Sequence, residues 1–349
     1  MRLALYQPDI AANAGTLIRL GACMNVAIDI IEPCGFPFGD AAFRRAGMDY
    51  IHQATVTRHA SWNAFRSGSP GRLVLASTRA TNLFWGLADP AGALAVLDAA
   101  AEAAATPQAL HALLAQRCSV TLYSGRPAQA CAELPELDQD DTRARVESAL
   151  VASPAHALAG RTAVAIAIAE QAFAEHLELG DVSAIAHPGT HMVTKVVALT
   201  EAGRLAEAWE LGRLGYDLAV SERVAVAKMW FALTLGRVAL LRGSPALASR
   251  WFREQVVHAR ALDHRQPLRL GLAGVAISAA YLADTDAAEH AVQELGAFEG
   301  PAYGLFDVEV VRARAWTLAA LGRTQEGRDL LLPSADAALS SGQLTQEAS

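Results

Sequence analysis

Arginine supplies most of the chemistry this chain can offer, and it is unevenly placed. Residues 1–80 carry eight arginines against five acids (Asp9, Asp29, Glu32, Asp40 and Asp49), a balance of +3; the remaining 269 residues carry 21 basic and 31 acidic side chains, a balance of −10. A pair such as Arg44-Arg45 suits phosphate oxygens, which guanidinium groups meet two bonds at a time. On a helix the same pair serves equally well as a solvated face. His187 and His191 stand four apart, a metal-ligand spacing on a helix, but Pro188-Gly189 between them opposes that helix and no Cys, Asp or Glu is close by in sequence. No metal site is expected. Trp209, Trp230, Trp251 and Trp316 pose a choice between a concave aromatic groove and packing at helix interfaces, and packing is expected for most of them. Glu136, Asp140 and Asp141 read as a loop and helix start, not as paired catalytic carboxylates. The chain has no GxSxG elbow, and neither Lys195 (after Thr194) nor Lys228 (after Ala227) follows the glycine a Walker motif needs.

The elements that must position these residues are mostly helices. The 349 residues are 52% hydrophobic, 6% aromatic and 19% charged, with 75 alanines. Few β-branched and aromatic residues with much alanine favours packed helices over a β-sandwich, and the hydrophobicity excludes disorder. A net charge of −7 makes the whole chain a poor generic nucleic-acid binder. Cys23, Cys34, Cys118 and Cys131 form no CxxC pair; buried, reduced thiols in a cytoplasmic protein are expected. The opening run Met1 to Tyr6 is too short for a secretory leader. The longest apolar stretch, residues 224–241, holds Lys228 and Arg237, charges that prefer water to a bilayer centre, so no membrane association is expected.

The first eighty residues alternate strand and helix. Leu3 to Tyr6 is a short strand stopped by Pro8, and Asn13 can cap a helix from Ala14 to Met24 with Leu17, Leu20 and Cys23 on one stripe. Val26 to Ile31 is a β-branched strand, Asp40 can cap a short helix through Arg44 and Arg45, and residues 54–57 form an edge or parallel strand. Ser61 can cap a helix around Trp62 and Phe65, and residues 72–77 form a further strand. Alternation at this interval predicts right-handed βαβ units and a parallel sheet.

Here the residues resemble a known family. Pro8-Asp9-Ile10-x-x-Asn13-x-Gly15-x-x-x-Arg19, Ile31-Glu32-Pro33, residues 44–50 (RRAGMDY) and Thr57-Arg58-His59, in that order, are similar to the opening half of SPOUT-class enzymes that 2′-O-methylate the wobble nucleotide of tRNA. The resemblance implies that Arg19 lies near the ribose 2′-hydroxyl and favours its alkoxide, that Arg44, Arg45 and Arg58 bind RNA, and that Asn13 and Gly15 shape a tight turn. Where the family has Thr between Asn and Gly, this chain has Ala14. The family's S-adenosylmethionine site, an L-F-G-x-E-x-x-G loop with later I-P-M and S-L-N, is imitated only by residues 83–92 (LFWGLADPAG), which lack the Glu.

From about residue 86 the texture becomes an alanine-rich repeat. A turn phrase recurs near 88, 125, 160, 203, 243, 284 and 322, at intervals of 35–43 residues, as in Gly203-Arg204-Leu205-Ala206 and Gly243-Ser244-Pro245-Ala246. That period predicts stacked helical hairpins, slightly longer than tetratricopeptide units. The trailing Ser340-Ser341-Gly342-Gln343 starts no capping repeat. In texture and turn phrases this part resembles the tetratricopeptide-like sensor region of large LuxR-type regulators, which implies binding of an inducer or partner.

The expected architecture is therefore mostly α: a truncated SPOUT-like α/β segment over residues 1–80 and an α-solenoid over residues 81–349. The expected activity is binding of a protein, peptide or small-molecule ligand by the array, with tRNA as a further partner of the basic segment. Methyl transfer is not expected and no cofactor is implied. The alternative is an active S-adenosylmethionine-dependent tRNA (cytidine/uridine 34)-2′-O-methyltransferase with a helical accessory domain.

Overall fold

A computed structural model describes residues 2–8, 11–24, 26–36, 55–68, 79–86, 89–104, 106–135, 141–179, 187–298, 304–305 and 307–344. The chain divides into two compact units, residues 1–73 and 74–349. The expected strand at 72–77 and the Asp40 cap lie outside the described residues.

In the first unit, β1 (Arg2–Tyr6), β2 (Ala27–Ile31) and β3 (Val56–His59) form a parallel sheet in the order β1-β2-β3. Leu3 lies opposite Ile28, and Ile30 opposite Arg58. The helix α1 (Ala11–Cys23) covers one face. It begins at Ala11, earlier than expected, because alanine carries the helix back past Asn13. The stripe of Leu17, Leu20 and Cys23 is not the one that packs on the sheet. Ala14, Gly15, Ile18 and Gly21 are buried, with Ala14 and Ile18 packed on Leu5, Ile28 and Ile30, whereas Leu17, Leu20 and Cys23 are exposed. Smaller residues let the helix lie close on the sheet: a Cβ on Gly21 would overlap the Ile28 side chain. Beyond the sheet, α2 (Trp62–Gly68) starts as expected at Ser61, whose Oγ accepts from the Ala64 N–H at 3.2 Å.

The second unit is a run of paired helices. After a π-helical turn at Asn82–Gly86 come α3 (Pro90–Glu102), α4 (Pro107–Tyr123), α5 (Pro127–Glu133), α6 (Thr142–Leu158) and α7 (Thr162–Leu179). They continue with α8 (Gly189–Glu201), α9 (Leu205–Ser221), α10 (Ala225–Leu241), α11 (Pro245–Ala261), α12 (Arg265–Tyr281), α13 (Thr285–Leu295), α14 (Asp307–Ala320) and α15 (Thr324–Ser341). From α9 to α13 a helix begins every 20 residues, at 205, 225, 245, 265 and 285. The recurring phrases mark every second junction there. Gly125, Gly160, Gly203, Gly243 and Gly322 each adopt positive φ, 71° to 86°, at the end of a helix. The residue after each donates its N–H back to the preceding helix, as Arg204 does to the Leu199 carbonyl at 2.9 Å; this is the Schellman closure. The junctions between them are the same turn made without glycine: Arg223 (φ 59°), Asp263 (φ 52°) and Ala283 (φ 57°). Proline at the first position of α3, α4, α5 and α11 explains the Pro in the phrase, since its missing N–H has no helical partner to lose.

The core follows from small residues opposite large ones. Phe252 of α11 sits between Gly236 of α10 and Gly274 of α12, either of which would overlap its ring if given a Cβ. Phe231 rests in the same way on Gly215. The even-numbered helices α4 to α14 each pack on the next of their set, forming a continuous inner layer to which α5 to α13 are added outside. Parts of the array distant in sequence also meet. Leu305 is buried with Cys118, Leu122, Ala130 and Val151, and the Gln343 Nε2 donates to the Gly125 carbonyl at 3.3 Å. Gly125 is required twice here, for its φ of 86° and because a Cβ would strike the Gly304 backbone. Among the described residues no helix is long and apolar enough to cross a membrane.

Candidate functional site

In the first unit the chemistry gathers toward the carboxyl ends of the parallel strands, where open α/β sheets place ligands. Asp29 is the one acid in an otherwise apolar strand, β2, and is 1% exposed. It meets the Nε2 of His59 at 2.7 Å across to β3. His59 in turn stands edge-on to Phe65 of α2, ring centroids 5.1 Å apart, and Tyr6 stands edge-on to Trp62 at 5.4 Å. Arg58 pairs with Glu32, the residue that follows β2. Burial, with the Glu32 charge adding to it, pushes the Cys34 thiol above its usual range.

The described positions singled out in the sequence lie on α1 and β3. Arg19 is exposed on α1, and Arg58 is exposed on β3 in its ion pair with Glu32. Asn13 and Gly15 lie inside α1 and not in a turn before it, with Gly15 buried. Arg44 and Arg45 lie outside the described residues. The Asp29–His59 pair was not singled out from sequence, although an acid inside a strand of Val, Ala and Ile was a signal for it: a buried carboxylate requires a partner.

In the second unit, His191 opens the first turns of α8 and is fully buried, while His187 precedes the helix and accepts from the Gly189 N–H at 3.0 Å. The partner of His191 is His176 of α7, Nε2 to Nδ1 at 3.2 Å. Burial, and secondarily the neighbouring imidazole, hold the His191 pKa down to about 4, so it is neutral near pH 7. No cluster of three or more metal-ligating side chains occurs among the described residues. The tryptophans divide. Trp209 and Trp251 meet edge-on at 6.4 Å between α9 and α11, Trp209 and Trp230 pack against Leu233 and Phe252, and Trp316 stands edge-on to Tyr281 at 4.7 Å.

One polar constellation joins helices far apart in sequence. The Nη2 of Arg237 on α10 reaches Glu201 of α8 at 3.0 Å and Glu309 of α14 at 3.5 Å. Glu309 is also held by Arg312 at 3.3 Å. A side chain of α10 can meet α14, two inner helices away, only where a curved layer brings side chains together. The constellation therefore marks the concave face of the array. The two carboxylates raise the Arg237 pKa against the opposing effect of its burial, so the group stays charged.

These features define a parallel α/β unit joined to an array of stacked helical pairs. The chain is 45% identical over 138 residues to the tRNA (cytidine(34)-2′-O)-methyltransferase of Ancylobacter novellus, covering 36% of this chain and 80% of that protein. It is 44% identical over 123 residues to that of Beijerinckia indica, covering 34% of this chain and 76% of the relative. The protein of the same name from Escherichia coli K12 is 42% identical over 82 residues, covering 23% of this chain and 52% of the relative. The chain belongs to the tRNA (cytidine(34)-2′-O)-methyltransferase family. A match over 36% of the chain holds more residues than the first eighty, so similarity runs past Ala80, further than the motifs alone indicated. No family model matches. In fold, the chain is similar to the Rap protein crystallised in complex with competence and sporulation factor, with a TM-score of 0.63 over 97% of this chain and 88% of that one at 10% identity.

Proposed function

We propose that this chain is a ligand-binding helical array joined to a tRNA-facing methyltransferase unit that lacks a working methyl-donor site. The observation that carries this reading is the fate of the segment most similar to the family's donor loop. It is wound into the π-helical turn at Asn82–Gly86, and Phe84 is buried with Ala93, Leu97 and Val120 in the array's own core. Trp85 stands edge-on to Tyr123 at 5.0 Å. A loop whose side chains are packed in this way does not fit S-adenosylmethionine, and no step is assigned through it. The described residues from Pro90 onward are helical pairs, which suits a binding array. The likeness of fold to a Rap protein solved with its factor supports a protein or peptide as the ligand, with a small molecule as the alternative. The turn phrases support an origin in the sensor region of a LuxR-type regulator. Arg19 and Arg58, with Arg44 and Arg45 on the sequence, would meet tRNA phosphates, and a cytoplasmic location fits that partner.

The second reading is an active S-adenosylmethionine-dependent tRNA ribose methyltransferase with Arg19 beside the 2′-hydroxyl. It is favoured by the length of the match, 80% of the Ancylobacter enzyme. Isothermal titration of the full chain with S-adenosylmethionine separates the two. The first reading expects no saturable heat; binding in the micromolar range, with tRNA methylation lost on Arg19→Ala, would establish the second.

A further inference from the structure

The Glu201–Arg237–Glu309–Arg312 constellation is mostly buried, and Arg237 is its most exposed member, with 27% of its side chain accessible. Arg237 donates to Glu201 through Nη2, which also lies 3.5 Å from Glu309. Its Nε–H and Nη1–H donors have no partner among the described residues, yet they are not among the buried unpartnered atoms, so they reach solvent on the concave face. The same holds for the second carboxylate oxygen of Glu201. The concave face thus presents an oriented donor beside an oriented acceptor, both fixed by ion pairs to neighbouring helices.

Charge decides what fits. Two arginines and two glutamates already balance, and the Glu201 side chain is only 7% exposed. An added carboxylate or ammonium would bring an unmatched charge into a partly desolvated site, which is costly. A peptide unit is neutral and carries one N–H and one C=O, the complement of a free carboxylate oxygen and a free guanidinium edge. Trp230, seven residues before Arg237, lies on the same side of α10 and, half-buried against the core around the buried Leu233, leaves part of its ring as apolar surface next to it. Main-chain hydrogen bonds beside an apolar contact are a common way to hold an extended peptide.

We propose that Arg237 and Glu201 clamp the main chain of an extended peptide on the concave face, Arg237 donating to a carbonyl and Glu201 accepting from an N–H. This rests on the reading of the array as a peptide-binding module and names the chemistry of its site.

The test uses the full-length chain and a random hexapeptide pool made in two forms, C-terminally free and amidated. Peptides that stay with the protein through gel filtration are identified by mass spectrometry, and the best is resynthesised for anisotropy titration. The clamp predicts retention of both forms and at least a tenfold weaker Kd for Arg237→Met. It also predicts that N-methylation of a single backbone amide abolishes binding, where alanine at that position does not. This ligand-side measurement needs no variant, so it holds even if Arg237→Met folds poorly. Retention with an unchanged Kd in Arg237→Met, or uniform tolerance of N-methyl groups, overturns the clamp and leaves the peptide array standing. Retention of free-acid peptides alone makes Arg237 a carboxylate site and also overturns it. No retained peptide at all overturns both readings.

Discussion

The turns between helices offer a measurement in which backbone conformation is nearly the only variable. An added Cβ at Gly160, Gly203 or Gly243 meets nothing within 4 Å, so an alanine there costs only what a left-handed φ costs an L-residue. That is about 1 kcal/mol per site, after allowing for the freedom glycine loses on folding. Arg223, Asp263 and Ala283 already bear that cost at φ of 52° to 59°. Replacing each by glycine should therefore stabilise by roughly 0.5–1 kcal/mol at Arg223 and Ala283, and less at Asp263, since aspartate tolerates this region better. The sites are twenty residues or more apart with no shared turn, so the effects should add. For the triple variant, about 2 kcal/mol corresponds to a rise in Tm of roughly 4–8 °C, against a fall of similar size for Gly160→Ala, Gly203→Ala and Gly243→Ala combined. Urea titration and thermal melts followed by helix ellipticity read both sets. A destabilised Arg223→Gly protein, or a glycine-to-alanine triple with unchanged Tm, would refute left-handed Schellman closures at these junctions. Gly125→Ala should cost more than any of these, because the new methyl also meets the Gly304 backbone.

Four further outcomes follow from the geometry. Because the folded state holds His191 at about 4 against an ordinary 6.5, it binds fewer protons than the unfolded chain between those values. Stability should be level above about pH 7 and fall by roughly 3 kcal/mol as pH drops from 6.5 toward 4; an imidazole that titrates near 6.5 by NMR contradicts this. Gly274→Ala should destabilise by about 1–3 kcal/mol through overlap with Phe252, and Phe252→Leu in the same chain should recover part of it; additive losses would mean the two do not touch. Asp29→Ala leaves His59 without its acceptor and should speed hydrogen exchange across β2 and β3, by an amount matching about 2 kcal/mol or more, with Asp29→Asn milder; equal exchange in the three proteins would mean the pair adds nothing to the sheet. Arg237→Met should loosen the inner layer at α8 and α14 together, seen as faster exchange over residues 189–201 and 307–320, whereas a change confined to α10 would show that the ion pairs do not couple the three helices.

Much of this was legible in the chain itself. Glycine and proline punctuation gave the repeat because those residues act through their own backbone, and the βαβ alternation gave the parallel order of the first unit. The junctions at Arg223 and Asp263 were not legible, since a left-handed turn leaves no signature when an ordinary residue is forced into it. The buried face of α1 is not legible for a related reason: Leu17 and Leu20 look like core by hydrophobicity, but the small residues Ala14 and Gly21 are the ones that let the helix lie close on the sheet. Cys23 turned outward with the two leucines.

Composition and local pattern, then, determined the class of each part, since helix propensity, turn chemistry and motif spacing reside in stretches of a few residues. Which side chains meet was decided by tertiary structure alone. His176 with His191, Asp29 with His59, and Arg237 between Glu201 and Glu309 are joined across 15 to 72 positions of sequence. Their pairing depends on the curvature of a layer and the register of a sheet, quantities that exist only once the chain has folded back on itself.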